Sequence, residues 1–343
     1  MDKDVLISVR NLKTHFQLRQ GILKAVDGIS FDLKKGSILG LVGESGCGKS
    51  IVAKSILRSI LKPGRTEGQI LFNEEGREPV DLVKLDPKGK EIRKYRGARM
   101  SMIFQEPLNA FSPVHTIGDQ ITEGMILHNK ISKKEALDIA VGLFEKVGIS
   151  DPQKRLSEYS FQLSGGMRQR AMIAMAISLY PQLILADEPT TALDVSVQAQ
   201  ILKLLKDIQK NNGMSMIFIT HDLAVIAQMA DRVIVMYLGQ IMEEADVNDI
   251  FQDPLHPYTR KLLESILDPC KSYKSSKLRT IDGSVPEPIN LPDRCVFFDR
   301  CDENSECVCQ ISNPPLIEVK PGHRVRCFKY TANLNGVITD GEF

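Results

Sequence analysis

Three stretches carry side chains able to act on a phosphate ester. The run Gly43-Glu44-Ser45-Gly46-Cys47-Gly48-Lys49-Ser50 fits G-x-x-x-x-G-K-[ST] without a mismatch. Its glycines let successive backbone N–H groups wrap phosphate oxygens, and a helix starting near Lys49 and continuing through Ile51 adds favourable dipole charge. The pattern assigns Lys49 to the β- and γ-phosphates of a nucleoside triphosphate and the Ser50 hydroxyl to Mg²⁺. Cys47 fills a variable position of the loop, where a small residue is a better reading than a redox thiol. The second stretch, Leu183-Ile184-Leu185-Ala186-Asp187-Glu188, is an apolar strand ending in two carboxylates. Such acids alone are usually solvated. Beside a phosphate loop, Asp187 belongs to the Mg²⁺ shell and Glu188 polarises the attacking water. The third is His221, directly after the apolar run Met216 to Thr220; a lone histidine there is usually structural.

These groups need rigid elements behind them. Ser37 to Val42 is a dense apolar run ending at a glycine, as in a buried central strand, and the helix through Val52, Ile56 and Leu57 is broken by Pro63-Gly64. Upstream, Leu6 to Val9 and Ile29 to Leu33 read as short strands. Residues from about Ile117 to Leu163 read as helical, on the spacing of Leu137, Ala140, Val141, Phe144 and Val147, with Gly148 as a C-cap. Then come a helix from about Gly165 to Tyr180, the strand Leu183 to Ala186, a helix from Val195 to Gln209 and the strand Ser215 to Ile219. Alternating strands and helices predict an α/β fold with a mainly parallel sheet covered on both faces. The helical block at about 106–163 would be an insertion in it. After about residue 260, prolines become frequent and Cys270, Cys295, Cys301, Cys307, Cys309 and Cys327 follow. The expected division is 5–260 and a C-terminal extension over 261–343.

The 343 residues are 43% apolar with a formal net charge of +1, which gives no support to nucleic-acid binding. No signal peptide and no run of about 18 apolar residues is evident, so work at a membrane would require docking on an embedded partner.

Leu163-Ser164-Gly165-Gly166-Met167-Arg168-Gln169-Arg170 resembles the LSGGQ-type signature of ATP-binding-cassette (ABC) ATPases, with Met167 in the final position. The resemblance covers about residues 5–260 and implies a P-loop NTPase of ABC type, with a helical signature subdomain. It implies that Ser164, Gly165 and Gly166 bind the γ-phosphate held by a second subunit's phosphate loop. Gln105, in Phe104-Gln105-Glu106-Pro107, resembles the glutamine that contacts Mg²⁺ and water and couples to the membrane partner. Thr191-Ala192-Leu193-Asp194 resembles the loop touching the opposite subunit. His221 occupies the place of the switch histidine, which reverses the ordinary reading of a lone histidine. Phe16 is the candidate to stack on adenine, or an ordinary packed Phe.

Met102 to Gln120, Gly165 to Arg170 and His256 to Leu263 are similar to the corresponding segments of the oligopeptide/dipeptide/nickel importer ATPases. Cys295-x5-Cys301-x5-Cys307-x-Cys309, with Cys327 beyond, is similar to that family's C-terminal motif, which in some members holds a [4Fe-4S] cluster. Zinc would accept the same thiolates, and the remaining alternative is a reduced, metal-free cluster of thiols. The third ligand is Cys307 or Cys309, because the spacing departs from the usual pattern. The resemblance therefore implies an ATP- and Mg²⁺-dependent subunit driving uptake of di- or oligopeptides. It would pair with a second cassette, identical or not, beneath two permeases at the cytoplasmic face of the membrane, and an extracytoplasmic peptide-binding protein would deliver cargo. The alternatives are a nickel or other small-solute importer, and a soluble ABC ATPase. A third, an exporter cassette, is commonly fused to a membrane domain, and no such domain is apparent here.

Overall fold

In the computed structural model, which describes residues 2–74, 76–191, 193–265, 281 and 283–331, the chain opens on a long antiparallel hairpin. Its strands are β1 (Val5–Leu18) and β2 (Gly21–Lys34). They are much longer than the short strands the sequence suggests. Register shifts, including ones at Val9/Leu12 and Thr14/His15, interrupt the two-residue alternation that would have revealed them. Next come β3 (Ile38–Val42), α1 (Lys49–Ile56), β4 (Gly64–Phe72), β5 (Val80–Asp81), α2 (Lys90–Tyr95) and β6 (Met100–Ile103). Helix α1 stops at Ile56, short of Pro63-Gly64. Arg58 takes a left-handed φ of 56°, and the Arg96 guanidinium donates to the carbonyls of Leu57 (2.7 Å) and Arg58, so the helix end is satisfied locally.

A helical block follows: α3 (Pro107–Ala110), α4 (Ile117–Asn129), α5 (Lys133–Lys146) and α6 (Pro152–Leu156). Thr116 caps α4, and Ser132 with Glu135 forms a reciprocal capping box on α5. Ala136, Ala140, Leu143 and Phe144 give α5 one buried stripe. Helix α7 (Gly165–Ile177) is buried on most sides from Ala171 onward, packed between this block and β6. The chain then alternates β7 (Leu183–Asp187), α8 (Val195–Asn212), β8 (Ser215–Thr220), α9 (Leu223–Met229), β9 (Arg232–Tyr237) and β10 (Gln240–Asp246). It closes with α10 (Val247–Gln252), α11 (Pro257–Glu264), α12 (Glu306–Cys309), β11 (Ile317–Lys320) and β12 (His323–Val325).

The larger sheet has the order β11-β12-β10-β9-β3-β8-β7-β6, parallel from β6 through β9 and antiparallel from β9 to β11. The expected parallel core is thus present, extended by an antiparallel edge. The smaller sheet, β2-β1-β4-β5, is antiparallel throughout. Strands β3, β7 and β8 are wholly buried, and their residues alternate between two cores. Ile38, Ile184, Met216 and Phe218 face the helices α4, α5, α7, α8 and α9. Leu39, Leu41, Leu185 and Ile217 face α1 and the smaller sheet. β12 pairs with β10 at Glu243–Val325 and Glu244–Arg324, which joins the Pro- and Cys-rich segment to the main sheet. Ala192 and Cys270, both singled out in the sequence, lie outside the described residues.

Candidate functional site

The carboxyl end of the parallel strands gathers three of the sequence-derived groups. The loop 43–50 connects β3 to α1, and two of its glycines, Gly43 and Gly48, are required by space. Gly43 has φ 153° and Gly48 φ 102°; a Cβ there would stand 2.2 Å from the Met236 carbonyl oxygen and 2.1 Å from that of Ala25. Lys49 is buried, and its Nζ donates to the carbonyls of Gly43 (2.8 Å) and Glu44 (3.0 Å). Cys47 lies buried beneath the loop, and burial raises its thiol pKa against the pull of Lys49. A buried thiol with a raised pKa is a poor nucleophile, in keeping with the bland reading of that position. Ser45 is exposed at the rim of the loop, and Ile51, half-buried in the first turn of α1, is apolar.

Ser50 Oγ donates to Asp187 Oδ1 at 2.9 Å, which brings the loop and the end of β7 together. Burial raises the Asp187 pKa; the Ser50 hydrogen bond opposes that, and the neighbouring Glu188 adds to it. Two oxygens of this kind, one a carboxylate whose pKa burial raises even beside Lys49 and Lys54, suit a hard divalent cation such as Mg²⁺. Glu188 adopts a left-handed φ of 46°, uncommon for its type, with its amide bonded to the Ile219 carbonyl at 2.9 Å. Its carboxylate receives three neighbours: Gln105 Nε2 at 3.1 Å, Thr191 Oγ1 at 2.9 Å and His221 Nδ1 at 3.3 Å. Gln105, from the end of β6, and His221, from the end of β8, therefore meet at one acid. Thr191 was not singled out for this contact in the sequence.

Ser164 caps α7, accepting from the Met167 amide at 3.3 Å, and both Ser164 and Gly165 are exposed. A Cβ at Gly165 would meet nothing within 4 Å, while one at Gly166 would stand 3.3 Å from Val197 on α8. Asp194 caps α8 by accepting from the Val197 amide (2.9 Å) and Ser196 Oγ (2.6 Å); the Ser196 hydrogen bond is the first cause of its lowered pKa. Phe16, half-buried on β1, packs over Gly64, where a Cβ would lie 2.6 Å from its Cε1.

The cysteines separate. Cys309 is buried, Cys295, Cys301 and Cys327 are half-buried, and Cys307 is exposed. Burial pushes Cys295 up to about 12 and Cys301 up to about 11, and it raises Cys327 as well. In all three the charge of Cys309 contributes to the rise. The Cys295 amide also donates to the Cys309 carbonyl at 3.0 Å. Of the two alternatives left open by spacing, Cys309 stands with the other three. Among the described residues, no three His, Cys, Asp or Glu side chains converge closely enough to hold a single metal ion.

Sequence reasoning missed a further arrangement around the loop. Arg300 Nη1 and Nη2 donate to Glu44 Oε2 (2.7 Å) and Oε1 (2.9 Å), and the Glu44 amide donates to Tyr258 Oη at 3.0 Å. Arg300 and Glu44 lie 256 residues apart, and no periodic pattern connects them.

The family model described as ABC transporter matches residues 26–191, and that described as the oligopeptide/dipeptide transporter C-terminal region matches 242–309. The chain is similar to the oligopeptide transport ATP-binding protein AppD of Bacillus subtilis, 48% identical over 325 residues, covering 95% of this chain and 97% of the relative. It is also similar to the dipeptide transport ATP-binding protein DppD of the same organism, 46% identical over 331 residues, covering 96% and 93%. Among solved structures, a dimeric bacterial ABC transporter cassette superposes with a TM-score of 0.62 at 25% identity, covering 71% of this chain and 99% of that one.

Proposed function

We propose a mechanism and a cargo from one premise: this chain belongs to the ATP-binding subunits of ABC transporters, in the oligopeptide/dipeptide group. It is an ATPase. The observation that carries the mechanism is the convergence of Gln105, Thr191 and His221 on Glu188, beside the Ser50–Asp187 contact. Lys49 exchanges its two loop carbonyls for the β- and γ-phosphate oxygens of ATP. Gly43 to Ile51 supply the cradle, and Phe16 the adenine contact. Mg²⁺, held by Ser50 and Asp187 with Gln105 nearby, would neutralise charge on the phosphates. Glu188 orients a water for in-line attack on the γ-phosphorus and accepts its proton; the bond to the β-phosphate oxygen breaks, leaving ADP and phosphate. His221 and Gln105 fix the acid and reach towards the γ-phosphate.

Ser164, Gly165 and Gly166 are read as the γ-phosphate contact for a second subunit, identical or different, with Asp194 and Thr191 at the same seam. The exposure of Ser164, Gly165, Thr191 and Asp194 on this chain supports that. Among the described residues no helix is long and apolar enough to cross a membrane. Phe104, Leu108 and Val114 flank Gln105 with 40%, 56% and 73% exposure, an apolar surface suited to permeases embedded there. We therefore read the chain as peripheral to the cytoplasmic face. It powers uptake of di- or oligopeptides delivered by an extracytoplasmic receptor, and the names of its relatives favour that cargo over nickel.

Cys295, Cys301, Cys309 and Cys327 are the set that would hold a [4Fe-4S] cluster. The four influence one another electrostatically, yet do not converge on a point as a single zinc ion requires. A cubane takes one thiolate at each iron, so its ligands stand apart. When bound it would supply a structural link between α12 and the edge of the sheet. Cys295, Cys301 and Cys327, whose pKa values burial raises, must lose protons to ligate.

The decisive measurement is Mg²⁺-ATP hydrolysis by the purified chain beside Glu188→Gln and Lys49→Ala, with dimerisation followed by light scattering. Glu188→Gln should bind ATP and dimerise with turnover reduced at least about a hundredfold, and Lys49→Ala should lose nucleotide binding. A Glu188→Gln chain that turns over like the parent would overturn the catalytic assignment.

A further inference from the structure

We propose that Arg300 is a positioning residue of the ATP site: from the C-terminal segment it neutralises Glu44 and holds it clear of the incoming triphosphate. This rests on the reading of residues 43–50 as the nucleotide loop. Glu44 is the only carboxylate in that loop. It stands one residue after Gly43, whose carbonyl now accepts from Lys49. An unpaired anion there would repel every phosphate the loop has to attract, through a partly desolvated medium where the repulsion is felt strongly. Arg300 answers with a two-pronged bond to both Glu44 oxygens, at 2.7 and 2.9 Å, from a side chain only 6% exposed.

The arginine is itself held. Its Nη1 donates to Tyr237 Oη at 3.3 Å, and the guanidinium lies 5.7 Å from the centre of that ring. Tyr237, Tyr258 and Phe297 pack mutually in tilted and edge-to-face contacts with centroids 4.9 to 5.3 Å apart. Tyr258 in turn accepts the Glu44 amide at 3.0 Å. The Arg300 carbonyl receives Lys261 Nζ at 2.8 Å from α11. Both the side chain and the amide of Glu44 are thus fixed from outside the loop by residues of β9, α11 and the segment before Cys301. The nucleotide site is completed by the C-terminal segment.

The test is equilibrium titration of the full-length chain with a fluorescent ribose-labelled ATP analogue and Mg²⁺, at low and high salt. Arg300→Met should weaken binding about tenfold at low salt, and by less at high salt, where the unpaired carboxylate is screened. Adding Glu44→Gln to Arg300→Met should recover most of that loss, because the repelling charge is gone. Arg300→Lys keeps the charge but loses the fork, and should weaken binding roughly threefold, again relieved by Glu44→Gln. This milder change keeps the test open if Arg300→Met does not fold. Parent-like binding by both Arg300 variants would overturn the proposal. So would a defect that Glu44→Gln leaves in place, which would mean that Arg300 acts only through packing. A parent chain that binds no nucleotide would instead overturn the reading of the loop itself.

Discussion

A Cβ at Gly48 would lie 2.1 Å from the Ala25 carbonyl oxygen, and one at Gly46, only two residues away, would meet nothing within 4 Å. Both glycines have positive φ, 102° and 81°, so any other residue is strained at either position. Only at Gly48 must the backbone also move. Gly48→Ala should therefore abolish measurable ATP binding and lower stability by about 2–3 kcal/mol, whereas Gly46→Ala should cost roughly 1 kcal/mol and leave binding detectable. Nucleotide titration and urea denaturation of the two variants side by side check this. Residues of this type are legible in a sequence because phosphate is held by backbone amides. The backbone shape that allows it forbids a side chain at fixed positions. Glu188 was legible as an acid at a strand end, but its left-handed φ of 46° was not, since a glutamate carries no mark of such a conformation.

Between elements, one buried acid ties three parts of the chain together. Glu243 on β10 is fully buried; its Oε1 accepts from the Leu255 amide and contacts His323 Nε2, each at 2.7 Å, and its Oε2 accepts from the His256 amide at 3.0 Å. Glu243→Ala would leave two amides and an imidazole without their partner, and should cost about 3–5 kcal/mol. Glu243→Gln, which keeps one accepting oxygen, should cost about 1–2 kcal/mol. Hydrogen exchange should show β12 and the start of α11 losing protection first. Equal protection in parent and Glu243→Ala would sink the idea. Such pins escape a sequence reading because they join residues 80 apart through buried polar atoms, whereas periodicity reports only apolar faces. The parallel strands β3, β7 and β8 were legible for the opposite reason: burial on both faces makes each a continuous apolar run. Which of Cys307 and Cys309 is buried depended on local structure. Residues two apart share a face in a strand but not in a helix, and α12 turns Cys309 inward and Cys307 out.

For the molecule as a whole, charge is near balance at neutral pH and stays so until the carboxylates titrate at about pH 4, so above that range buried ionisable groups shape the pH response. His256 is the clearest of these. It caps α11 by accepting from the Tyr258 amide through Nδ1 at 3.0 Å, a role that requires a neutral ring nitrogen. Burial lowers its pKa to about 4, against the opposing charge of Glu243 and a hydrogen bond to the Arg326 backbone, and with smaller help from the charges of Arg260 and Arg326. The unfolded chain binds a proton at this residue near pH 6.5, while the folded chain does not do so until about pH 4. Between those values the unfolded state holds more protons, so stability rises with pH. It is complete above about pH 6.5 and falls as pH drops towards 4, by about 3 kcal/mol in total. His256→Asn retains a side-chain oxygen able to cap α11 but cannot titrate. Its stability, from urea unfolding between about pH 4.5 and 7.5, should fall with acid less steeply than the parent's, by up to roughly 1.4 kcal/mol per pH unit. The His323–Glu243 contact is present in both chains and cancels in the difference. Parallel pH curves would mean that His256 is charged in the folded state, and that its cap and its burial do not exclude the proton.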